Sequence, residues 1–396
     1  MGSDCLLSNA ESWVCLAALR SLGGFGVGVE TSSEFSDAVS FHSRFSHKNH
    51  SYRQVSGGLF LDDLEDVLAE GGFEVFMPVL SEVLVPVLKE RKRFEKFATI
   101  PFADIDLFEL ANDKIRMSQR ALKLGIPCPN SFFVGDSTNL SDIRGELSFP
   151  ILVKPSVSEG AKGILFIRSF SELAEGFERI KAAYGPVFLQ EYIPYNGQKF
   201  AASVLLDNDS RPVRVFAQRM IRENPMSPGP HTTSESIDRK DIIDYVSRLM
   251  VDIGWRGVAQ AEFVLDPRDN QPKFLEVNPR LWNSLSLSNY AGVNFPYWMY
   301  KLGLGEEIEP DFNYRVGVRS RWIIPQEIRV LFSLILNRRD PMYQVNKSRL
   351  RQIVELFDFF RGNQGYYILS ANDPVPAFYY AKNWAGGAVK RIIGNI

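Results

Sequence analysis

Short apolar runs alternate with amphipathic stretches through the first hundred residues. Cys5–Ser8 reads as a strand, Asn9 as the cap of a helix reaching about Leu22, and Gly23-Gly24 as its stop before a strand over Phe25–Val29. A helix over Leu59–Ala69, halted by Gly71-Gly72, leads to a buried strand at Phe73–Met77. Such alternation predicts a parallel sheet with helices on its faces. A helical stretch at Asn112–Leu124, closed by Gly125 and Pro127, opens a second unit. It continues as strand Ser131–Val134, helix Asn139–Leu147, strand Pro150–Lys154, a Gly/Ser loop over Ser156–Gly163, strand Ile164–Ile167, helix Ser171–Tyr184 and strand Val187–Glu191. A third unit is richer in strand, at Phe200–Leu206, Val213–Ile221, Gly257–Leu265 and Lys273–Asn278, with a helix near Arg239–Ile253.

The 396 residues divide on this pattern into 1–108, 109–196, 197–310 and a last segment 311–396. With 45% apolar and 23% charged residues and a net charge of −2, neither disorder nor a nucleic-acid-binding field is expected. The charge is unevenly spread: residues 315–396 carry 13 Lys/Arg against 5 Asp/Glu, and the rest is net negative. Three separated cysteines, with no C-x-x-C, argue against a disulfide framework or a thiolate metal site. No signal-peptide pattern opens the chain, and its longest apolar window, Ile328–Leu336, is half a membrane span and contains Arg329. A cytoplasmic location is expected, at most peripheral at the inner face of a membrane. Gly23–Gly28 is not a dinucleotide fingerprint, because it leaves a helix and enters a strand, the reverse of the required order.

The stretch Gly257–Arg280 folds back on itself around the turn formers Asp266–Pro272. A hairpin symmetric about Asp269 sets Leu265 opposite Lys273 and Glu262 opposite Glu276, with Asn278 on the same face. Two like charges in register destabilise a sheet unless a cation lies between them. Oxygen ligands favour Mg²⁺ or Mn²⁺. The competing reading is a solvated face on which both glutamates pair with lysines. In Val153–Gly163 a lysine at a strand end precedes a small-residue loop. Its backbone N–H groups can approach an anion, with Lys154 or Lys162 supplying charge, although the loop is not the P-loop pattern.

Taken with Asn112-Asp113-Lys114, Leu189-Gln-Glu191-Tyr-Ile193, Ala261-Glu262-Phe263 and Phe274-Leu-Glu-Val-Asn-Pro-Arg280, this order of motifs resembles the ATP-grasp superfamily. Leu281–Pro296 is similar to its carbamoyl-phosphate-synthase-like, carboxylate–amine ligase branch. The fold class implied is α/β (α+β): an ATP-grasp fold, with a small lid subdomain at 109–196 and a C-terminal subdomain at 197–310. A parallel-sheet β/α domain precedes it and a helical, basic C-terminal region follows. The resemblance implies that Lys114 and Lys154 hold ATP phosphates under Gly160, Lys162 and Gly163, and that Glu191, Tyr192 and Ile193 form the adenine hinge. Glu262, Glu276 and Asn278 would hold two Mg²⁺ (or Mn²⁺) ions, and Arg280 would stabilise the transferring phosphoryl group or pair with one of the glutamates. The acidic ribose contact of many relatives is absent, and Gln198 stands near its place.

The implied reaction is attack of a carboxylate on the γ-phosphate of ATP, then displacement of phosphate by an amine. A kinase-like phosphotransferase and a non-catalytic nucleotide-binding scaffold are the alternatives. Arg219, Arg222 and His231, at a strand end and in the Pro/Gly loop after it, are candidates for clamping a small-molecule or peptide carboxylate. No nucleic-acid partner is expected; a homodimer is admitted. His42, His47 and His50 read as a polar loop rather than a metal site. The aromatics at Trp322, Phe332, Phe359-Phe360, Tyr366-Tyr367, Phe378–Tyr380 and Trp384 read as buried helices, or as an anchor for an anionic membrane or lipid-linked substrate.

Overall fold

Four parallel strands, β1 (Cys5–Leu7), β2 (Val29–Ser33), β3 (Ser46–Ser51) and β4 (Val75–Met77), form the first sheet in the order β3-β2-β1-β4. The computed structural model describes residues 4–134, 140–158, 160, 162–194, 198–223, 231–336, 348–359 and 362–393. Ser12, not Asn9, caps the first helix, Trp13–Gly24, by accepting a hydrogen bond from Cys15 N. Asn9 instead adopts a left-handed φ of 58°, and its side-chain oxygen accepts from Leu80 N and Ser8 Oγ. Phe25 lies outside the sheet, stacked on Tyr297 at 4.1 Å, so the second strand starts four residues later than the sequence pattern suggests. Helix Phe60–Gly71 buries Leu61, Leu64 and Leu68 along one stripe and ends at Gly72, whose φ of 65° only glycine adopts readily. The histidine segment is strand β3 rather than a loop, with His50 on Glu30 at 2.5 Å; His42 pairs with Asp37 at 2.7 Å.

A second, antiparallel sheet has the order β5-β8-β6-β7, from β5 (Ser131–Phe132), β6 (Ile151–Pro155), β7 (Leu165–Ile167) and β8 (Val187–Glu191). Helix Phe170–Tyr184 closes its core with Leu173, Phe177 and Ile180. The helix expected over Asn139–Leu147 is reduced to one 3-10 turn at Arg144–Glu146; residue 139 lies outside the described residues. Its apolar spacing was right. A segment so short, with Gly145 inside, cannot offset the cost of helix nucleation.

The central sheet has seven strands in the order β13-β12-β9-β10-β11-β14-β15: β9 (Lys199–Leu206), β10 (Pro212–Glu223), β11 (His231–Ser236), β12 (Gly257–Asp266), β13 (Gln271–Asn278), β14 (Arg319–Arg321) and β15 (Gln364–Tyr366). Helix Lys240–Asp252 packs Ile242, Val246, Leu249 and Met250 into the core shared by β9, β10 and β12. The segment read as a loop after β10 begins outside the described residues, but His231–Ser236 is a full strand. The C-terminal region likewise does more than add helices, since β14 and β15 extend this sheet. Buried Asp373 ties it back to the N-terminal unit by accepting from Arg20 Nε at 2.9 Å, Ser43 Oγ at 2.8 Å and Arg44 N at 3.0 Å. Trp322 and Tyr367 are buried against Leu16 and Val39, whereas Phe332 and Phe378 are exposed. Among the described residues no helix is long and apolar enough to cross a membrane.

Candidate active site

The hairpin β12–β13 pairs Leu265 with Pro272, Val264 with Lys273 and Phe263 with Phe274, one residue out of the expected register. A β-bulge then inserts one residue, and Glu262 faces Glu276 after all, with Gln260 opposite Asn278. Asn278 Nδ2 donates to Glu262 Oε1 at 3.1 Å. Burial and the neighbouring Glu276 carboxylate push the Glu262 pKa up to about 7, against the pull of Lys199 and Asn278. Among the described residues no three His, Cys, Asp or Glu side chains gather around one metal position. Two carboxylates and an amide could hold Mg²⁺ here with other oxygens completing its shell.

Three lysines surround this pair. Lys114, at the start of helix Lys114–Lys123, reaches Glu276 Oε2 at 3.1 Å and donates to Ser158 O at 2.7 Å. The helix begins here because Asp113 breaks the expected Asn112–Leu124 run and caps Ile115 N and Arg116 N. Ser156 Oγ also donates to Asp113, so cap, lysine and Gly/Ser loop are fixed together. Lys154, buried on β6, donates to Gln190 Oε1 at 2.9 Å. Burial brings its pKa down to about 8, with Lys114 and Lys199 acting in the same direction and Glu276 opposing them. Lys199 pairs with Glu223 at 2.9 Å; burial opposes its charge, but Glu223, Glu262 and Glu276 hold its pKa above the ordinary value.

Sequence reasoning missed Lys199 and Glu223. Strand alternation reveals the first: Ala201 stands opposite Glu262 in β12, so Lys199, two residues earlier, shares that face. Glu223 was hidden by two register shifts, between Met220 and Arg222 and between Arg222 and Glu223. They turn Glu223 and its partner His231 toward the carboxylate face. His231 Nε2 is buried with no hydrogen-bond partner among the described residues, and burial pushes the ring's pKa down to about 4. It is a neutral imidazole at pH 7, so it brings no positive charge to a carboxylate.

The other candidates divide. Arg280 is buried, with Nε on Ser81 Oγ at 3.0 Å and a second nitrogen on Leu281 O at 3.0 Å. Gly160 and Gly163 take φ values of 62° and 76°, and Lys162 between them is exposed. At the hinge, Glu191 is a brace: its carboxylate accepts from Asn130 N at 2.9 Å and binds Arg268 at 3.0 Å. The backbone N–H groups of Glu191 and Tyr192 donate to Asn130 O and Pro150 O, and Ile193 is buried. Gln198 is exposed at the mouth of β9, its carbonyl accepting from Leu265 N. Arg219 and Arg222 are each engaged by a carboxylate of the protein itself and stand away from the metal hairpin. Arg219 binds Glu235, Arg222 binds Glu327 at 2.8 Å, and both lie on the sheet face opposite Glu262, since Arg219 follows Gln218 on β10 and Gln218 is in line with Ala201.

A β-carbon on Gly163 would lie 2.7 Å from Pro155 Cγ and 2.9 Å from Tyr184 Cε2, at a positive φ. Gly163→Ala is expected to destabilise the protein by about 1–3 kcal/mol in urea unfolding. An unchanged midpoint would show that the loop does not need this turn.

Residues 113–310 match the family model for the carbamoyl-phosphate synthase L chain, ATP-binding domain. The arginine-specific carbamoyl phosphate synthase large chain of Geobacillus stearothermophilus is 24% identical over 209 residues, 51% of this chain and 20% of that protein. The D-alanine–D-alanine ligase of Carboxydothermus hydrogenoformans is 29% identical over 189 residues, 43% of this chain and 59% of the ligase. This chain thus spans well under two thirds of either relative. Among solved structures, the biotin carboxylase domain of Hydrogenobacter thermophilus 2-oxoglutarate carboxylase, in complex with MgADP, ADP and bicarbonate, superposes with a TM-score of 0.67 at 19% identity, covering 81% of this chain and 74% of that one. N5-carboxyaminoimidazole synthetase from Staphylococcus aureus, complexed with ADP, gives 0.62 at 17% identity and covers 81% of each chain. These likenesses show the fold: an ATP-grasp architecture.

Proposed function

Since the chain belongs to the family of carbamoyl-phosphate synthase L-chain ATP-binding domains, we propose that it is an ATP-dependent carboxylate–amine ligase. The observation that carries this reading is the Glu262–Glu276–Asn278 cluster on one hairpin, surrounded by Lys114, Lys154 and Lys199. Three ammonium groups and the carboxylates of Glu223, Glu262 and Glu276 balance one another. A neutral cradle best receives a triphosphate whose charge arrives already matched by divalent cations, which supports a two-ion site. We place the nucleotide between a lid at 109–196 and the subdomain at 197–310.

Mg²⁺ held by Glu262, Glu276 and Asn278 would supply neutralisation of the triphosphate during transfer. The protein's own groups do the positioning. Lys114 exchanges Glu276 and the Ser158 carbonyl for phosphate oxygens, and Lys154 approaches from β6. A substrate carboxylate, already ionised, attacks the γ-phosphorus as the bond to ADP breaks. Arg280, anchored by Ser81, offers charge to the transferring group. The amine then attacks the acyl carbon, phosphate departs, and the amine's proton passes to solvent. No side chain is asked to act as nucleophile.

An ADP-release screen over amino acids, peptides and sugar acids, each with and without an amine, tests the reading. A pair that releases ADP only when both partners are present is expected. ADP release without an amine, leaving a phosphorylated product, would convert the reading to a phosphotransferase. Nucleotide binding without ADP release from any pair would convert it to a non-catalytic nucleotide-binding scaffold.

A further inference from the structure

The strands that carry Lys199 and Glu223 also build a second site on the reverse face of the central sheet. There, Arg219 of β10, Glu235 of β11 and Arg319 of β14 lie in one cross-strand row, and Arg222, Thr233 and Arg321 in the next. Glu235 accepts from both Arg219 and Arg319, the latter at 2.8 Å. Glu327 is shared in the same way: its Oε1 accepts from Arg222 at 2.8 Å and its Oε2 from Arg321 at 2.6 Å. Two carboxylates thus serve four guanidinium groups. Arg321 is saturated, since it also donates to the carbonyls of Leu356 and Asp358. Arg222, Arg319, Arg321 and Asp358 line a cavity of about 280 Å³, roofed by Arg351 and Glu355 of helix Arg349–Leu356, so that four guanidinium groups and two carboxylates border it.

We propose that this cavity binds a small dianion, a phosphate-bearing or dicarboxylate metabolite, through Arg222, Arg319 and Arg351. The size lies just below that of drug-sized pockets, which suits a metabolite. Planar guanidinium forks match carboxylate and phosphate oxygens. Burial, and after it the adjacent Arg321, hold the Arg222 pKa below its ordinary value, with Glu327 and Glu355 opposing them. The site is separate from the metal hairpin, yet β10 and β11 pass from one to the other within a single pair of bulges, Arg222 on this face and Glu223 on the other. An anion here therefore acts on strands that seat Lys199 and His231.

Calorimetric titration of the full chain with inorganic phosphate, succinate and acetate tests the proposal. At least one of the two dianions is expected to bind tenfold or more tightly than acetate. Phosphate alone marks a phosphate-bearing ligand, and succinate alone a dicarboxylate. Arg319→Gln and Arg222→Lys should each weaken binding at least fivefold, and Glu276→Gln should leave it unchanged. The Arg351 side chain is 72% exposed, so Arg351→Gln leaves the packed interior untouched and is expected to weaken binding about threefold. Equal binding of all three anions, indifference to all three arginine variants, or loss with Glu276→Gln would overturn the assignment.

Discussion

Lys154→Met is expected to raise the stability of the nucleotide-free protein at pH 7 and to lower ADP formation by two to three orders of magnitude. Both effects come from one cause. A buried lysine with its pKa brought down to about 8 is charged at pH 7 at the expense of folding, because the same group ionises more readily in the unfolded chain. That displacement corresponds to about 3 kcal/mol, with the attraction of Glu276 already included. Methionine removes the charge and keeps the volume, but strands the Gln190 oxygen, which returns about 1–2 kcal/mol. A net gain of about 1–2 kcal/mol is left. The sign is testable along the pH axis. The folded-state pKa is depressed, so the penalty is fully present below pH 8 and fades as pH rises toward the unfolded value near 10.5. The difference in melting temperature between variant and wild type should shrink over that window and then reverse, because the lost Gln190 hydrogen bond remains once the penalty is gone. A variant less stable than wild type at pH 7, or equally active, would refute the assignment of Lys154 to a phosphate contact in a desolvated cradle.

Glu276→Gln is expected to abolish metal-dependent ADP formation, by about a thousandfold or more, while the fold is retained. One of two charged ligands is lost, and metal charge stabilisation is worth several kcal/mol of barrier. Two readouts separate this from a structural defect. Mg²⁺ with a non-hydrolysable nucleotide should raise the melting temperature of wild type and leave that of the variant unchanged, and chelation of wild type should reproduce the variant. The pKa of Glu262 should also fall from about 7 in the variant, although burial, the larger cause, still holds it above the ordinary value. Wild-type Mg²⁺ affinity is accordingly expected to climb as pH rises through about 7, and any residual step in the variant to move to lower pH.

Much of this was legible in the sequence because it rests on local pattern. Alternating strands, stop glycines and the turn at Asp266–Pro272 each depend on a few neighbouring residues, and they locate the three sheets and the carboxylate hairpin. What could not be read depends on contacts across the sheet. Arg219 and Arg222 look like unengaged cations in a strand end, and only the placement of Glu235 and Glu327 beside them shows otherwise. Glu223 needed two bulges that no local rule announces. Strands β14 and β15 are three residues each, too short for periodicity to mark, and they form because the edge of β11 offers β14 a ladder and β14 in turn offers one to β15.

The extra residue in β13 bears on any attempt to transplant the ribbon. Continued without interruption from Phe263 and Phe274, the ladder would seat Leu275 across from Glu262, and an aliphatic side chain would project where a ligand is wanted. A designer grafting the motif onto an idealised template must carry the unpaired residue along. Aligners that close the one-position gap will credit the wrong side chain with holding the ion.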